Sequence, residues 1–287
     1  MKAKTLLRLA RPRFWIYLLG PFLVGLAANG LFGTSQDIKA ILLVLISALY
    51  FTLPANLLIY GINDIFDYQS DILNKKKASY ETLVKPEDRS SLWTAIALTN
   101  IPFLIPFILV AEQSPYSIVA IVGFLFFGIF YSSPPIRAKA RPYLDSLFNI
   151  LYVFPGLYGF LIYNNTVLAI DWRLIIAASL WCIAMHAYSA VPDIQADHGA
   201  NLRTIATSLG RSKTLWLCLY LYAAAALLSI EKLNWLAYTL GVVYVGLMAL
   251  SLRTKTDEAL FHYYTWFPKI NALSGFALFL FIIFNGR

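Results

Sequence analysis

The sequence has few charged residues. Only 13% of its 287 residues are Asp, Glu, Lys or Arg, whereas about a quarter is usual for a soluble domain. These charges are clustered, so long stretches between them carry almost none and are long enough to cross a bilayer. Hydrophobic residues make up 59% of the chain and aromatic residues 16%. With no glycine period and no low-complexity tract, this composition excludes disordered and collagen-like chains.

Cysteine is almost absent as well. Cys182 and Cys218 both lie inside apolar runs, which argues against a disulfide framework and against a metal-thiolate site. The formal net charge is +8, yet no basic helix and no basic-aromatic pattern accompanies it. Membrane topology explains such an excess better than nucleic acid does, so we expect no nucleic-acid partner.

Nine apolar runs near membrane-spanning length account for most of the chain, and they predict an all-α integral membrane protein with nine transmembrane helices. We treat residues 1–287 as a single domain. Basic residues precede the first run as in a signal peptide, but eight further runs favour a retained helix. The predicted spans are Phe14–Phe32, Ala40–Ile62, Leu92–Val110, Ser117–Tyr131, Leu144–Tyr163, Leu174–Val191, Leu215–Ile230, Trp235–Leu252 and Trp266–Phe284.

Charge placement on alternate sides of these spans predicts their orientation. One side holds 18 of the 23 basic residues, including the five that precede the first span. By the positive-inside rule this side, with the N-terminus, is cytoplasmic. The same side holds 11 of the 15 acidic residues, which the rule does not require.

The first acidic cluster directly follows the second span and runs from Asn63 to Asp71. If the helix continues, Asp64, Asp67 and Asp71 lie at positions i, i+3 and i+7, which is one helical face. Three like charges on one face near the membrane repel one another. We therefore expect a cation at this face.

The second cluster follows the sixth span and contains Asp193 and Asp197 at positions i and i+4. Oxygen ligands without neighbouring His or Cys favour magnesium over zinc or copper. Magnesium completes its coordination with water and phosphate oxygens, which suits an anionic ligand shared between the clusters. Basic residues follow each cluster, at Lys75–Lys77 and at Arg203, and could neutralise a diphosphate.

These motifs resemble those of the UbiA superfamily of intramembrane prenyltransferases, which have nine membrane helices. That superfamily carries Asn-Asp-x-x-Asp-x-x-x-Asp after helix two and Asp-x-x-x-Asp after helix six, and here these are Asn63 to Asp71 and Asp193 to Asp197. Further similar segments are Tyr131–Lys139 and Arg203-Thr204. The resemblance covers essentially the full chain and implies a UbiA-type bundle with its active-site face at the cytoplasmic side of the cell membrane.

Within the superfamily the sequence is most similar to the carotenoid branch, the lycopene elongases that make C50 carotenoids. The segments that carry this likeness are Arg11–Leu18 and Leu53–Lys77. Relatives that prenylate aromatic acids carry an Arg about two turns before the first motif, whereas Asn56 stands near that place here. This difference favours a neutral acceptor.

The resemblance implies a Mg2+-dependent prenyl transfer. An allylic diphosphate, expected to be dimethylallyl diphosphate, ionises, and a lipophilic polyene such as lycopene attacks the resulting cation, which then loses a proton or captures water. Residues expected to hold metal and carry catalysis are Asp64, Asp67, Asp71, Asp193 and Asp197. Residues expected to bind substrate are Asn63, Arg137, Lys139, Arg203, Asn56, Tyr60 and Tyr188.

Two alternatives remain open from the sequence. One is a prenyltransferase with another acceptor: an aromatic compound, as in quinone biosynthesis, or, more distantly, chlorophyllide, haem or a glycerol phosphate. The other is a membrane transporter of cations or solutes, suggested by carboxylates near the bilayer. Transporters place such groups near the midplane on broken helices, whereas these aspartates stand at predicted span ends, which counts against transport. His186 and Asn149 are polar residues inside spans, where they more often hydrogen-bond neighbouring helices than catalyse.

Overall fold

A computed structural model describes residues 1–30, 38–68, 82–162 and 166–285. The α-helices in these ranges, numbered in chain order, are α1 Ala3–Leu9, α2 Ile16–Ala28, α3 Ile38–Tyr50, α4 Leu53–Phe66, α5 Arg89–Asn100, α6 Leu104–Gln113, α7 Ser117–Ser132, α8 Leu144–Leu147, α9 Phe154–Leu161, α10 Trp172–Ala190, α11 Ile194–Gly199, α12 Ile205–Leu233, α13 Trp235–Arg253 and α14 Asp257–Asn285. Short 3-10 turns join several of them, and every regular element within the described ranges is helical.

The chain forms two compact units. Unit 1 contains residues 1–137, 154–167 and 285–287, and unit 2 contains residues 138–153 and 168–284. Helices α1 to α7 and α9 belong to unit 1, and α8 and α10 to α14 belong to unit 2. The expectation of one domain over the whole chain stays a prediction.

In unit 1 the predicted span Ala40–Ile62 is two helices, α3 and α4, with a break at Phe51 and Thr52. Pro54 stands in the first turn of α4, where its missing N–H costs nothing. The buried amide of Asn56 donates to the carbonyl oxygens of Phe51 at 3.2 Å and Thr52 at 2.6 Å. The Thr52 carbonyl also accepts the backbone N–H of Asn56 at 3.3 Å, so this side chain adds a second donor there and a donor for the Phe51 carbonyl at the break.

Helices α2 and α9 pack backbone to backbone. A Cβ added at Gly25 would lie 2.0 Å from the carbonyl oxygen of Gly156, and one at Gly159 would lie 2.3 Å from that of Phe22. Glycine is required at both positions because the obstacle is main chain and has no rotamer to change. This approach brings the polar end of Tyr158 to Ser47 of α3, with 3.2 Å between the two hydroxyl oxygens.

In unit 2 the helix α12 begins ten residues before the predicted span Leu215–Ile230. Thr204 caps its first turn in a reciprocal capping box with Thr207, and Gly210 interrupts the helix with φ 74°, a conformation that favours glycine. The polar residues Arg211 and Lys213 follow this break. A prediction from apolar content alone therefore places the start of this helix too late, because its first turns contain polar residues.

Within the residues that the structure describes, seven helical stretches are long and apolar enough to cross a membrane. They are Ile38–Phe66, Pro86–Gln113, Leu144–Leu161, Trp172–Ala190, Ile205–Leu233, Trp235–Arg253 and Asp257–Asn285. The first and fourth predicted spans correspond to α2 and α7, which are apolar but shorter. The expected total of nine spans and the cytoplasmic N-terminus stay predictions.

Candidate active site

The first aspartate cluster lies at the C-terminal end of α4 in unit 1. Asp64 occupies the last turn of the helix and is 1% exposed, and Asp67 caps its end and is 9% exposed. A helix C-terminus carries partial negative charge, so buried carboxylates there are electrostatically unfavourable without a cation. The helix ends at Phe66, and Asp71 lies outside the described residues, so the three-residue face that the spacing predicted is described only for its first two members.

Arg11 reaches this cluster from the turn between α1 and α2. Its Nη2 donates to Oδ1 of Asp64 at 2.9 Å, and its guanidinium lies 4.7 Å from the ring centroid of Tyr60, one turn earlier on α4. The pairing supplies positive charge to a buried carboxylate and stacks the cation on an aromatic face. Local sequence pattern does not predict this contact, because 53 residues separate the partners.

Asn63 is fixed by the end of α7. The hydroxyl of Ser132 donates to Oδ1 of Asn63 at 2.8 Å, so α7 ends beside the first cluster. Arg137 is five residues further on, exposed, and closes a turn through its N–H to the carbonyl oxygen of Ser133 at 2.9 Å. Within unit 1 the Ser132–Asn63 hydrogen bond therefore places the start of the segment Tyr131–Lys139 next to the aspartates of α4.

The second cluster lies in unit 2 around α11. Asp193 precedes the helix and Asp197 is in its first turn, with the Asp197 N–H donating to the carbonyl oxygen of Asp193 at 2.8 Å. The predicted i, i+4 relationship is therefore one turn of helix. Burial raises the pKa of Asp197 to about 6, and the negative charges of Asp193 and Asp145 add to this rise, while a hydrogen bond from Thr204 opposes it. A cation bound here would relieve the same repulsion.

Asp145 is a buried carboxylate that the sequence analysis counted only among the acids of the predicted cytoplasmic side. It is 0% exposed, and its Oδ2 accepts the N–H of Ile205, the first residue of α12, at 2.8 Å. Its Oδ1 has no hydrogen-bond partner within the described part of the chain. Asp145 thus fastens the start of α12 close to Asp197, and only the folded chain could reveal a contact over 60 residues.

The remaining basic candidates differ in exposure. Lys139 lies in a 3-10 turn of unit 2 and is 9% exposed, whereas Arg203 precedes α12 and is exposed. A long cationic side chain with so little exposure is unusual unless it faces opposite charge. Arg203 is adjacent to Thr204, whose hydroxyl lies 3.3 Å from Oδ2 of Asp197, so it stands next to the second cluster along the chain.

The uncharged candidates are packed into their own units. Tyr60 is partly exposed and lies 5.7 Å, centroid to centroid, from the ring of Phe14. Tyr188 is fully buried, its hydroxyl 2.9 Å from that of Ser251 on α13, and its ring lies 4.9 Å from Phe267. Asn56 is 0% exposed and holds the α3–α4 break. These contacts show that Tyr188 and Asn56 stabilise helix packing and the α3–α4 break.

The carboxylate oxygens of the two clusters suit a hard divalent cation that also binds water or phosphate oxygens. Each described cluster offers two aspartates, and His198, which follows Asp197, acts electrostatically on the second cluster. Among the described residues no group of three or more His, Cys, Asp or Glu could hold a metal ion. Oxygen donors that leave coordination positions for water or phosphate are typical of magnesium. The clusters therefore suit a metal that is shared with an anionic ligand.

A different charged group lies at the opposite end of α10. Arg173 bonds Glu231 through both terminal nitrogens and stands 3.8 Å from Asp171, and Lys232 is 3.9 Å from Asp171. Asp171, Arg173 and Lys232 border a surface depression of about 370 Å³. Because α10 is about 28 Å long, this group is distant from Asp193, and its charges already pair with one another.

Comparison with known families decides the chemistry. The model of the UbiA prenyltransferase family matches residues 15–282. The chain belongs to the UbiA prenyltransferase family. It is therefore a prenyltransferase and a multi-pass membrane protein, as the resemblance of its two motifs implied. The transporter alternative has no support from this membership.

Individual relatives agree with this assignment. A lycopene elongase/hydratase of Haloarcula japonica is 38% identical over 274 residues, covering 94% of this chain and 88% of the relative. A lycopene elongase/hydratase of Corynebacterium glutamicum is 34% identical over 234 residues, covering 79% and 77%. The carotenoid branch that the sequence resembles is thus the branch to which these relatives belong.

The fold agrees with solved members of the family. A UbiA homologue from Archaeoglobus fulgidus bound to DMAPP and Mg2+ superimposes with a TM-score of 0.68 at 20% identity, covering 96% of this chain and 99% of that one. A UbiA homologue from Aeropyrum pernix superimposes with a TM-score of 0.71 at 18% identity, covering 96% and 98%. These likenesses show that the UbiA fold is the fold of this chain.

Proposed function

We propose that this UbiA prenyltransferase is a lycopene elongase: with Mg2+ it ionises dimethylallyl diphosphate and joins the allylic group to lycopene or a similar polyene. The observation that carries the proposal is the pair of aspartate clusters at helix ends of a chain whose relatives are lycopene elongase/hydratases. We place the reaction in the cell membrane, with the aspartates at its cytoplasmic face.

Asp64, Asp67 and Asp71 would hold one magnesium ion, and Asp193 and Asp197 another. Bound magnesium would stabilise the negative charge that develops on the diphosphate leaving group. Burial supports these assignments, since Asp64 and Asp67 are almost inaccessible and buried carboxylates need a positive partner. The raised pKa of Asp197 supports a cation site in the same way.

Arg137, Lys139 and Arg203 would bind the diphosphate oxygens. Arginine forks match phosphate geometry, and lysine acts as a point charge. Asn63, oriented by Ser132, would keep the end of α4 in place beside Asp64. Preorganised cations cost no reorganisation when the allylic C–O bond breaks.

The acceptor is proposed to be uncharged. Asn56 stands where relatives that prenylate aromatic acids carry Arg, and its amide hydrogens are engaged by main-chain carbonyls. Tyr60 would form part of the apolar wall for a polyene, and the exposed part of its ring could face a passing cation. Tyr188, the other aromatic candidate, is 0% exposed.

In the reaction, the allylic C–O bond of the donor breaks and its electron pair leaves with the diphosphate. The terminal double bond of the acceptor then forms a C–C bond to the allylic carbon and leaves a tertiary cation on the acceptor. The reaction ends when that cation loses a proton or adds water. An apolar surrounding delays water until the C–C bond has formed.

The test is expression in lycopene-producing cells, with pigments separated by mass. The expected products carry one and two added five-carbon units, C45 and C50. Asp67→Asn and Asp193→Asn should abolish these products while the proteins still insert in membranes. Asp171→Asn is the matched control, because it changes an aspartate in the ion-pair group at the other end of α10.

Two results would contradict the proposal. Unchanged amounts of C45 and C50 pigments in both variants would show that these aspartates are not required for prenyl transfer. An unchanged lycopene peak with the wild-type protein, together with prenylation of a supplied 4-hydroxybenzoate, would replace the polyene acceptor by the aromatic acceptor of quinone biosynthesis.

A further inference from the structure

Gln195 lies between the two aspartates of the second cluster, in the first turn of the short helix α11. Its Nε2 donates to Oδ2 of Asp257, the first residue of α14, at 2.9 Å. Residues two apart on a helix point in directions about 200° apart, so Gln195 and Asp197 lie on opposite sides of α11. The bond to Asp257 therefore holds the helix while leaving the carboxylate of Asp197 on its other side.

Asp257 joins α11 to the break in α12. Its Oδ1 accepts Nη1 of Arg211 at 3.0 Å, while its Oδ2 accepts Gln195. Arg211 directly follows Gly210, the positive-φ residue that interrupts α12. Its Nη2 also donates to the carbonyl oxygen of Thr254, at the end of α13, at 2.8 Å, and to the hydroxyl of the same residue. One carboxylate and one guanidinium thus connect the four helices α11 to α14 of unit 2.

The charges favour this arrangement. Asp257 stands in the first turn of α14, where the partial positive charge of a helix N-terminus favours a carboxylate. The planar guanidinium of Arg211 can bond a carboxylate and a carbonyl oxygen at the same time, which suits Arg better than Lys. The side chains of Arg211 and Asp257 are 25% and 60% exposed, so their ion pair alone contributes little stability. Its importance lies in the elements that it joins.

Helix α11 depends on such contacts. It has only six residues, fewer than an isolated helix needs to be stable in water. At its end, the N–H of Leu202 donates to the carbonyl oxygen of Asp197 at 2.9 Å, and the hydroxyl of Thr204 donates to Oδ2 of Asp197 at 3.3 Å. These bonds hold the last part of α11, and the Gln195–Asp257 bond holds its first turn. Tertiary contacts therefore set the orientation of both aspartates of the cluster.

We propose that the α11 network, formed by Gln195, Asp257 and Arg211, positions the second aspartate cluster to bind magnesium, an inference that rests on the proposed function. These positioning residues act through the backbone of α11. A metal ion needs both carboxylates of the cluster in one arrangement, so a helix that frays or rotates binds it less tightly. Bound magnesium in turn holds the two carboxylates, so a high concentration of it should compensate for loss of the network.

The experiment uses purified full-length protein in lipid nanodiscs and has two readouts that need no catalysis. One is amide hydrogen exchange of residues 192–200 in the metal-free protein, and the other is the apparent Kd for Mg2+ from calorimetric titration. Gln195→Ala and Asp257→Ala should each speed this exchange and raise the Kd about tenfold, the lower end of what loss of a ligand-orienting partner costs. Arg211→Gln should act in the same direction but less, since it leaves the Gln195–Asp257 bond.

The double variant Gln195→Ala/Asp257→Ala tests whether the two residues act through one contact. It should raise the Kd about tenfold, as each single variant does, whereas independent effects would multiply to about a hundredfold. At saturating Mg2+ the rate of C45 and C50 formation by each variant should return to that of the wild type. A residue that only supports folding would not show this recovery.

Glu258→Ala is the matched control, because it removes the same charge from an exposed position in the same turn of α14; both readouts should stay unchanged. Equal increases of the Kd in Asp257→Ala and Glu258→Ala would overturn the proposal, because charge alone would explain them. Multiplying effects in the double variant, or faster exchange throughout unit 2, would also overturn it. A wild-type protein that makes no lengthened lycopene would instead contradict the proposed function, while the expected changes in exchange and Kd would still support the α11 network.

Discussion

Arg11, in the turn between α1 and α2, forms an ion pair with Asp64 at the end of α4, with 2.9 Å between Nη2 and Oδ1. Asp64 is 1% exposed and Arg11 15%, so this ion pair is largely buried. Breaking a buried pair from one side leaves the other charge uncompensated. The turn before α2 is thereby coupled to the cluster proposed to bind magnesium.

The first prediction concerns this pair. Arg11→Gln should lower the free energy of unfolding of the metal-free protein by about 3 kcal/mol, because the buried carboxylate of Asp64 loses the guanidinium that bonds it at 2.9 Å. Thermal unfolding in detergent measures the change as a drop of several degrees in melting temperature. Mg2+ should restore part of the loss by supplying positive charge to the same cluster. Arg8→Gln, at an exposed position of α1, is the control, and equal melting of all three proteins would contradict the coupling.

The second prediction concerns the pH dependence of metal binding. Asp197 must lose its proton to bind Mg2+, and its pKa is about 6 in the metal-free protein. The apparent Kd for Mg2+ should therefore be constant above pH 6 and rise about tenfold per pH unit below it. Calorimetric titration between pH 5 and pH 8 measures this profile.

Thr204 provides a check on the same prediction. Its hydrogen bond lowers the pKa of Asp197, so Thr204→Val should move the rising part of the profile to higher pH. Asp197→Asn should remove that part of the profile. A rise that begins only near pH 4, the ordinary range of an aspartate, would contradict the assignment.

The third prediction concerns Asp145. Asp145→Ala removes the acceptor of the Ile205 N–H at the start of α12 and should cost about 1–3 kcal/mol of stability. Asp145→Asn keeps an oxygen acceptor of the same shape and should cost less. Chemical denaturation in detergent measures both. Asp88→Ala at an exposed position is the control, and equal loss in the Ala and Asn variants would show that the hydrogen bond is not the cause.

The fourth prediction concerns the contact between α2 and α9. Gly25→Ala and Gly159→Ala place a methyl group 2.0 Å and 2.3 Å from main-chain carbonyl oxygens. Each should lower stability by about 1–3 kcal/mol through overpacking. Gly246→Ala on α13 meets no atom within 4 Å and should be neutral or stabilising, since alanine favours helix. Unchanged melting of the first two variants would mean that the helices separate easily.

The sequence by itself determined the features that depend on local pattern. Apolar runs located most of the helices, since length and hydropathy decide membrane insertion, and residue spacing identified Asp193 and Asp197 as neighbours on one helical turn. Those same motifs identified the family. Local pattern failed where polar residues lie inside a helix, as at the start of α12, and where a continuous apolar run contains a break, as between α3 and α4.

Tertiary structure alone decided which distant groups meet. Arg11 pairs with Asp64, Asp145 holds the start of α12, and Ser146 hydrogen-bonds His186 over separations of 53, 60 and 40 residues. These contacts depend on helix packing, which aligns side chains by distance and orientation, whereas sequence patterns record only spacing along one element. The chain thus determined the proposed ligands of a cation, and the fold determined the residues that contact them.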